Sequence, residues 1–381
     1  MKTAVLGFGT VGVGVYEMLA KARGLEPGPV LVRPGKEDAP YKVSSMEAIV
    51  NDPSVEAVAE VMGGIEPAYT YACAALKAGK HFVTSNKALV AAKGVELNRL
   101  AREKGAAFLF SAACGGGVPF LHNLALARES DSILSLGGIL NGTTNYMLDA
   151  MQRLGLDYAE ALADAQRLGY AEADPTADVS GLDALRKIML ACAVAYDLLP
   201  TEGLLHEGID SITAADVRHF QPRGYSCRLL ASGGRTESGV YAYVEPVLLR
   251  EGAPACSVLQ NYNMARYEGR NSGPIVLMGQ GAGRYPTASA VLRDLSGILR
   301  GERYLFSTGC AAGKADNSGS VHCYYVRLPA DLAGELEAES TELDGPVARL
   351  VTKPMSVAAM HETARRLRAQ GAALFFAAIE G

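Results

Sequence analysis

The sequence lacks the features that mark several protein classes. It has 36 Lys and Arg against 41 Asp and Glu, a net charge of −5, so it has no basic footprint for nucleic acid. No basic cluster suited to an acidic membrane surface occurs. The seven cysteines form no C-x-x-C pair, which argues against a zinc site or a disulfide framework and favours a reducing cytoplasm. No apolar run reaches the ~18 residues of a membrane span.

Glycine, in contrast, is abundant: 42 of 381 residues, against a usual share of ~7%. The glycines follow no Gly-X-Y period, so a collagen-like protein is excluded. Apolar residues make up 49% of the chain and charged residues 20%, which allows large cores. At ~150 residues per domain, the length predicts roughly two to three domains.

The first glycine cluster predicts a dinucleotide site. A short apolar strand is expected over 3–6 and a helix over 11–22, with G-x-G-x-x-G between them. The first glycine makes a tight turn, the second admits the pyrophosphate and the third lets helix and strand pack closely. The residues predicted to bind the cofactor here are Gly7, Phe8, Gly9, Thr10, Val11 and Gly12. The alternative is a merely compact turn between strand and helix.

The residues after the second predicted strand bear on the choice of cofactor. An acidic residue there would hold the ribose hydroxyl of NAD, but Arg33 and Lys36 stand in its place. Cations at this point suit the 2′-phosphate of NADP, so NADP is favoured over NAD; the alternative is two solvated surface charges. A second glycine cluster, 279–283, places Gly281 near the nicotinamide, at a hinge, or in an ordinary turn.

Periodicity along the chain indicates an α/β protein. Strand and helix signals alternate up to residue 110, which indicates βαβ units and a parallel sheet. Beyond Pro119 the pattern changes, with helices expected over 147–169 and 181–198 and strands within 225–280. The expected domains are a Rossmann-type NAD(P)-binding domain (1–130, completed by helix 284–301), an α+β domain (131–283) to which the resemblance described below assigns catalysis and dimerisation, and a short α+β C-terminal module (302–381).

Polar segments follow two of the predicted strands. Ser85 and Lys87 come directly after a strand, and in open α/β sheets the carboxyl ends of strands face the ligand. Lys87 is therefore a candidate for contact with cofactor or substrate, the alternative being a surface lysine. The segment 141–146, with Thr143, offers small hydrogen-bonding groups for a carboxylate; the alternative is a capped turn that starts the next helix.

The segment 169–187 is acidic and ends in an apolar helix. Asp183 and Lys187 are i,i+4 neighbours, and the apolar residues that follow suggest a buried floor, which would tune a lysine for proton transfer. The alternative is a surface ion pair worth ~0.3–0.5 kcal/mol. Glu172 and Asp178 are candidates for binding an ammonium group. Together with a nicotinamide, these groups point to hydride transfer on an amino-acid-like alcohol or aldehyde.

These segments, together with 63–67, 115–119 and 281–289, resemble the homoserine dehydrogenase family over about residues 1–300. The resemblance implies reversible conversion of L-homoserine and L-aspartate 4-semialdehyde with NAD(P), in the pathway to threonine, methionine and isoleucine. It implies a proton donor (Lys187), a residue that assists it (Asp183), a lysine beside cofactor and substrate (Lys87) and a substrate pocket (Glu172, Asp178, Tyr170, Thr143).

The sequence departs from the family at two places. The family often has an acidic residue where Ser111 stands, next to carbonyls that bind sodium; here the carbonyls of Cys114, Gly116 and Val118 remain, so only a weak Na⁺ site is expected. The C-terminal segment resembles a shortened ACT domain, which leaves regulation by threonine open. The family also implies a homodimer or homotetramer, formed through the sheet of 210–280.

Two other functions remain as alternatives. One is an NAD(P) oxidoreductase of similar build that acts on a different amino-acid alcohol. The other is a catalytically silent homologue that senses NAD(P) or an amino acid. The presence of Lys87, Asp183 and Lys187 argues against the silent homologue, because a pure binding module needs no proton donor.

Overall fold

Strands and helices alternate over the first 110 residues of this computed structural model, which describes residues 1–32 and 39–380. The strands of this part are β1 (Lys2–Leu6), β2 (Glu26–Leu31), β3 (Lys42–Val43), β4 (Val55–Glu60), β5 (His81–Thr84) and β6 (Phe108–Leu109). The helices are α1 (Thr10–Leu19), α2 (Glu47–Val50), α3 (Ala68–Lys77), α4 (Lys87–Glu103) and α5 (Phe120–Ser130).

The middle of the chain begins with β7 (Ile133–Ile139) and four helices: α6 (Gly142–Leu154), α7 (Tyr158–Arg167), α8 (Thr176–Val179) and α9 (Leu182–Tyr196). Then come β8 (Leu198–Glu202), β9 (Leu205–His206), α10 (Ala214–Phe220), β10 (Tyr225–Thr236), β11 (Gly239–Arg250), β12 (Tyr262–Gly269), β13 (Gly273–Gln280) and α11 (Arg284–Leu299). The last elements are β14 (Ala311–Lys314), β15 (Val321–Pro329), β16 (Ala338–Asp344), β17 (Val347–Thr352), β18 (Met355–Ser356), α12 (Val357–Ala369) and β19 (Phe375–Glu380).

The chain divides into two compact units. Unit 1 comprises Met1–Ile133, Met189–Leu199 and Tyr267–Gly313, and unit 2 comprises Leu134–Ile188, Pro200–Arg266 and Lys314–Gly381. In the part of the chain that the structure describes, no helix is both long enough and apolar enough to cross a membrane.

Unit 1 is built on a sheet of six strands in the order β3-β2-β1-β4-β5-β6, with parallel pairing throughout. The predicted parallel sheet of Rossmann type is therefore confirmed. Helix α11 packs against α1 at Gly14, where an added Cβ would lie 3.3 Å from the Cβ of Ala288. In the register of the sheet, Leu6 pairs with Glu60, which in turn pairs with Thr84, so β1, β4 and β5 end at one edge.

Unit 2 is built on a mixed sheet, in which strands follow the order β12-β7-β10-β11-β19-β15-β17-β16. The long hairpin β10–β11 is antiparallel, and β19 joins β11 in parallel. Helix α12 covers this sheet, with Met360 and Leu367 in the same buried cluster as Val247 and Val326. The C-terminal strands thus continue the sheet of β10 and β11, and a separate ACT-like module for residues 302–381 stays a prediction.

One local expectation differs from the structure, and one hairpin has no counterpart among the expectations. The helix expected over 147–169 is two helices, because Gly155 adopts a left-handed φ of 71° and ends α6. Asp157 then starts α7 with a reciprocal capping box to Glu160. The hairpin β16–β17 was not foreseen, although Asp344-Gly345 at its turn is a typical hairpin signal.

Candidate active site

In the glycine loop that follows β1, contacts within the protein explain two of the three glycines. Gly7 has a φ of +97°, which favours glycine, and its N–H donates to the carbonyl of Leu31 at 2.9 Å. At Gly12 an added Cβ would lie 2.2 Å from the carbonyl oxygen of Gly7. These two glycines are therefore required for the strand and α1 to pack so closely.

Gly9 differs, because a Cβ added there would meet no protein atom within 4 Å. Its φ of −87° and ψ of −161° are accessible to any residue, so neither packing nor backbone conformation explains the glycine. Gly9 is the N-cap of α1 and provides no side-chain cap, which leaves the first N–H groups of α1 able to meet an anion. The loop therefore fits the pyrophosphate of a dinucleotide.

The turn after β5 lies at the same edge of this sheet. Thr84 donates to the carboxylate of buried Glu60 at 2.5 Å, and burial raises the pKa of Glu60. Asn86 then caps α4 by accepting from the N–H of Leu89 at 3.1 Å. This arrangement fixes the start of α4, so Ser85 and Lys87 emerge beside the carboxyl ends of the strands, both half-buried.

The second glycine cluster packs against the triple-glycine segment 115–117. A Cβ on Gly116, whose φ is +51°, would lie 2.4 Å from the carbonyl oxygen of Gly281. The N–H of Gly117 donates to the carbonyl of Gln280 at 3.0 Å. This close approach of two backbones explains the glycine at position 116. Contact between Gly281 and a cofactor stays a prediction.

Ser111, which stands where an acidic residue was expected, lies beside a carboxyl group from another element. Its N–H donates to Oδ2 of Asp294 on α11 at 2.8 Å, and burial raises the pKa of Asp294 to about 7. Within residues 1–32 and 39–380 no group of three or more His, Cys, Asp or Glu is placed to hold a metal. A weak Na⁺ site at the carbonyls of Cys114, Gly116 and Val118 stays a prediction.

In unit 2, Asp183 and Lys187 form a buried pair. Their exposed fractions are 6% and 8%, and Lys187 Nζ lies 2.7 Å from Asp183 Oδ2. Lys187 Nζ also donates to the carbonyl of Leu140 at 2.6 Å. The pair is therefore not a solvated surface ion pair, and the apolar stretch of α9 does provide the buried floor expected from the sequence.

Asn141 is a site residue that the sequence did not identify as such. Its Oδ1 caps α6 by accepting from the N–H of Thr144 at 2.9 Å, as expected for a capped turn. Its Nδ2 donates to Asp178 Oδ1 at 2.7 Å and to Asp183 Oδ2 at 2.9 Å. The segment after β7 is thus both a cap and a connection between two carboxylates.

Three residues of the predicted substrate pocket, Thr143, Tyr170 and Asp178, lie together at the start of α6. Thr143 Oγ1 donates to the carbonyl of Tyr170 at 2.5 Å and to Asp178 Oδ2 at 3.4 Å. The ring of Tyr170 meets that of Tyr146 edge-on, with centroids 5.1 Å apart. The Tyr146 hydroxyl donates to Asp164, which raises the pKa of Tyr146 to about 12. These contacts hold the loop before α8 on the start of α6.

The turn between α8 and α9 brings the carboxylates of Asp178 and Asp183 to the side chain of Asn141. Gly181 has a φ of +83°, and a Cβ there would lie 3.1 Å from the carbonyl oxygen of Glu207. His206 Nδ1 lies 2.8 Å from the carbonyl oxygen of Ser180, which ties the turn to β9. Asp178 and Asp183 therefore share one partner, Asn141, although four residues lie between them.

The structure thus brings together most of the predicted unit 2 residues: Thr143, Tyr170, Asp178, Asp183 and Lys187. Glu172 is exposed in the loop before α8, where its carbonyl accepts from Gln166 Nε2 at 3.1 Å. Lys87 belongs to unit 1. Arg33 and Lys36 lie outside the described residues, so the structure says nothing about them.

Comparison with protein-family models matches two families along the chain. Residues 7–111 match the NAD-binding domain of homoserine dehydrogenase, and residues 119–296 match homoserine dehydrogenase itself. These ranges contain the glycine loop, the turn after β5 and the cluster around Asn141.

Individual proteins give the same result. The homoserine dehydrogenase of Corynebacterium glutamicum is 41% identical over 318 residues, which cover 78% of this chain and 71% of that protein. The structure of a homoserine dehydrogenase from Thiobacillus denitrificans superposes with a TM-score of 0.89 at 29% identity, covering 100% of this chain and 98% of that one. The structure of a hyperthermophilic archaeal homoserine dehydrogenase in complex with NADPH superposes with a TM-score of 0.68 at 25% identity. The match covers 80% of this chain and 99% of that one.

Proposed function

This chain belongs to the homoserine dehydrogenase family, NAD(P)-dependent oxidoreductases that act on a CH–OH group, and on that premise we propose a role for each residue of its site. The proposed reaction is the reversible oxidation of L-homoserine to L-aspartate 4-semialdehyde. The buried Asp183–Lys187 pair is the observation that carries this proposal, because proton transfer to an oxygen needs such a group. A catalytically silent homologue would have no use for it.

When bound, NAD(P) would supply the hydride for reduction of the semialdehyde or take it up in the oxidation of homoserine. Backbone N–H groups of Gly9, Thr10 and Val11 at the start of α1 hold the pyrophosphate, and Gly7 and Gly12 keep strand and helix close enough for this. Phe8 lies in the same loop. Ser85 and Lys87, at the same edge of the sheet, would contact the cofactor, and Lys87 is also proposed to contact the substrate.

Lys187 carries the proton. During reduction its ammonium group gives a proton to the aldehyde oxygen as the hydride arrives at the carbon; during oxidation its amine takes the hydroxyl proton. Asp183, at 2.7 Å from Nζ, stabilises the ammonium form and orients it, and the Leu140 carbonyl fixes Nζ from a second direction.

Asp178 and Glu172 bind the ammonium group of the substrate, with Thr143 and Tyr170 at the pocket wall. We expect Asp178→Asn to raise the KM for L-homoserine about 30-fold, because a charge-assisted hydrogen bond worth ~2 kcal/mol is lost. Initial rates at varied homoserine concentration measure this. Asp174→Asn is the matched control in the same loop, since Asp174 is exposed and its carboxylate accepts only from the N–H and the hydroxyl of nearby Thr176 among the contacts seen. An unchanged KM in Asp178→Asn would remove Asp178 from the ammonium site.

We propose NADP as the preferred cofactor. The support is the pair of cations, Arg33 and Lys36, directly after β2, where the 2′-phosphate of NADP would lie. The double variant Arg33→Ala/Lys36→Ala should raise the KM for NADP at least about 10-fold and change the KM for NAD less than about 2-fold, because only the 2′-phosphate is affected. Parallel initial rates with both cofactors measure this, and an equal change for NAD and NADP would contradict it.

We further propose a homodimer or homotetramer that forms through the sheet region of 210–280. Strand β13, the last strand in the order of its sheet, exposes alternate apolar side chains, with Val276 46% and Met278 61% exposed. Such a strand on a monomer surface would favour association. The seven cysteines, all within the described part of the chain, form no disulfide, which supports the proposal of a cytoplasmic location.

A further inference from the structure

Asn141 joins the two halves of the proposed site through a single amide group. One carboxylate it contacts, Asp178, is assigned to the substrate ammonium, and the other, Asp183, is the partner of Lys187. We propose that Asn141 is a positioning residue for the reaction, one that holds the proton-transfer pair in register with the ammonium site. This inference rests on the proposed function.

The chemistry of the three groups supports a specific role for the amide. An Asn side chain has two N–H donors on one nitrogen, and here each is directed at a different carboxylate, at 2.7 and 2.9 Å. Two carboxylates that face one point would repel each other, and a shared donor offsets that repulsion. The amide orientation is fixed from its other side, where Oδ1 accepts from the N–H and the hydroxyl of Thr144 at 2.9 and 3.0 Å.

The backbone next to Asn141 completes the arrangement. Leu140, the preceding residue, accepts from Lys187 Nζ at 2.6 Å, while Asn141 holds the carboxylate of Asp183. The two consecutive residues directly after β7 therefore fix both Asp183 and Lys187. Asn141 is 4% exposed, so water does not easily replace it as a donor.

An Asn at this point could also serve only as a helix cap, and substitution separates the two roles. Asp and Ser cap helices about as well as Asn. Asn141→Asp retains the acceptor for Thr144 but replaces the donor with an oxygen, and Asn141→Ser retains a cap but is too short to bridge both carboxylates. If the aspartate variant does not fold, the serine variant decides.

We expect both variants to lower kcat for homoserine oxidation about 100-fold, the scale of effect seen when a reacting group is misplaced by about 1 Å. The KM for NADP should stay unchanged, whereas the KM for homoserine should rise. For Asn141→Asp, the ratio of its kcat to the wild-type kcat at the same pH should increase as the pH falls, because protonation of the new carboxyl restores one hydrogen-bond donor to Asp178 of α8 or Asp183 of α9, and the loss of the Lys187 amine at low pH affects both proteins equally. The serine variant should not show this increase.

The control is Thr144→Val, which removes the hydroxyl but keeps the backbone N–H that holds Oδ1 of Asn141 at 2.9 Å. Both bonds to the carboxylates should therefore stay in place, and its kcat should remain within about 3-fold of the wild type. Wild-type kcat and KM in Asn141→Asp would overturn the inference and leave Asn141 as a cap. A wild-type protein that does not oxidise homoserine would instead overturn the proposed function, so the two failures are distinguishable.

Discussion

Replacement of Lys187 by methionine is expected to lower kcat for homoserine oxidation by about 1000-fold, within the range of ~10²–10⁴ that a positioned acid or base contributes. Methionine occupies much of the volume of lysine but cannot exchange a proton. The Kd for NADPH should not change, because the proposed role of Lys187 is proton transfer to the substrate oxygen, whereas residues 7–12 are proposed to bind the pyrophosphate. Stopped assays of turnover and fluorescence titration of NADPH measure the two quantities.

The methionine variant leaves Asp183 buried without its cation, which costs about 3–5 kcal/mol in typical proteins, so its melting temperature must be measured. Lys187→Arg addresses this point, because arginine keeps the positive charge and the partner for Asp183 but is not deprotonated in proteins. It should also be inactive. Lys77→Met on the exposed end of α3 is the matched control. A folded Lys187→Arg variant with wild-type kcat would show that another group carries the proton.

Gly9→Ala should raise the Kd for NADPH about 100-fold and leave the melting temperature almost unchanged. The protein has room for the methyl group, since no atom lies within 4 Å of it, and the backbone angles suit alanine. The methyl group would, however, prevent a bound pyrophosphate from approaching the backbone N–H groups. About two charge-assisted hydrogen bonds, each worth ~1.5 kcal/mol, would then be lost. Isothermal titration calorimetry with NADPH and a thermal melt measure both effects.

Gly12→Ala provides the contrast at the third glycine. Its Cβ would lie 2.2 Å from the carbonyl oxygen of Gly7, so the melting temperature of this variant should be lower than that of the wild type even without cofactor. A Gly9→Ala variant that binds NADPH with the wild-type Kd would show that the pyrophosphate does not approach this loop.

The features that the sequence predicted correctly depend on residues close together along the chain. The strand, glycine loop and helix at the N-terminus follow one another within 20 residues, so the local pattern was sufficient. Asp183 and Lys187 are one helical turn apart, and the apolar residues after them predicted the burial that the structure has.

The features that the sequence did not predict depend on distant contacts. The bridge from Asn141 to Asp178 and Asp183 exists because Gly181 turns α8 into α9 and because β9 holds that turn, and neither contact follows from spacing. The approach of Gly116 to Gly281 joins segments 165 residues apart. In contrast, the break at Gly155 carried a readable signal, a glycine followed by a capping box, that outweighed the apolar periodicity.

The most direct test of the proposed mechanism is the initial rate of NADP reduction by L-homoserine, followed by the absorbance of the reduced nicotinamide, in the wild type and in Lys187→Arg. The account predicts a homoserine-dependent increase in the wild type and a rate about 1000-fold lower in a folded variant that still binds NADPH. Turnover of homoserine at equal rates by both proteins, or none by a wild type that binds NADPH, would contradict it.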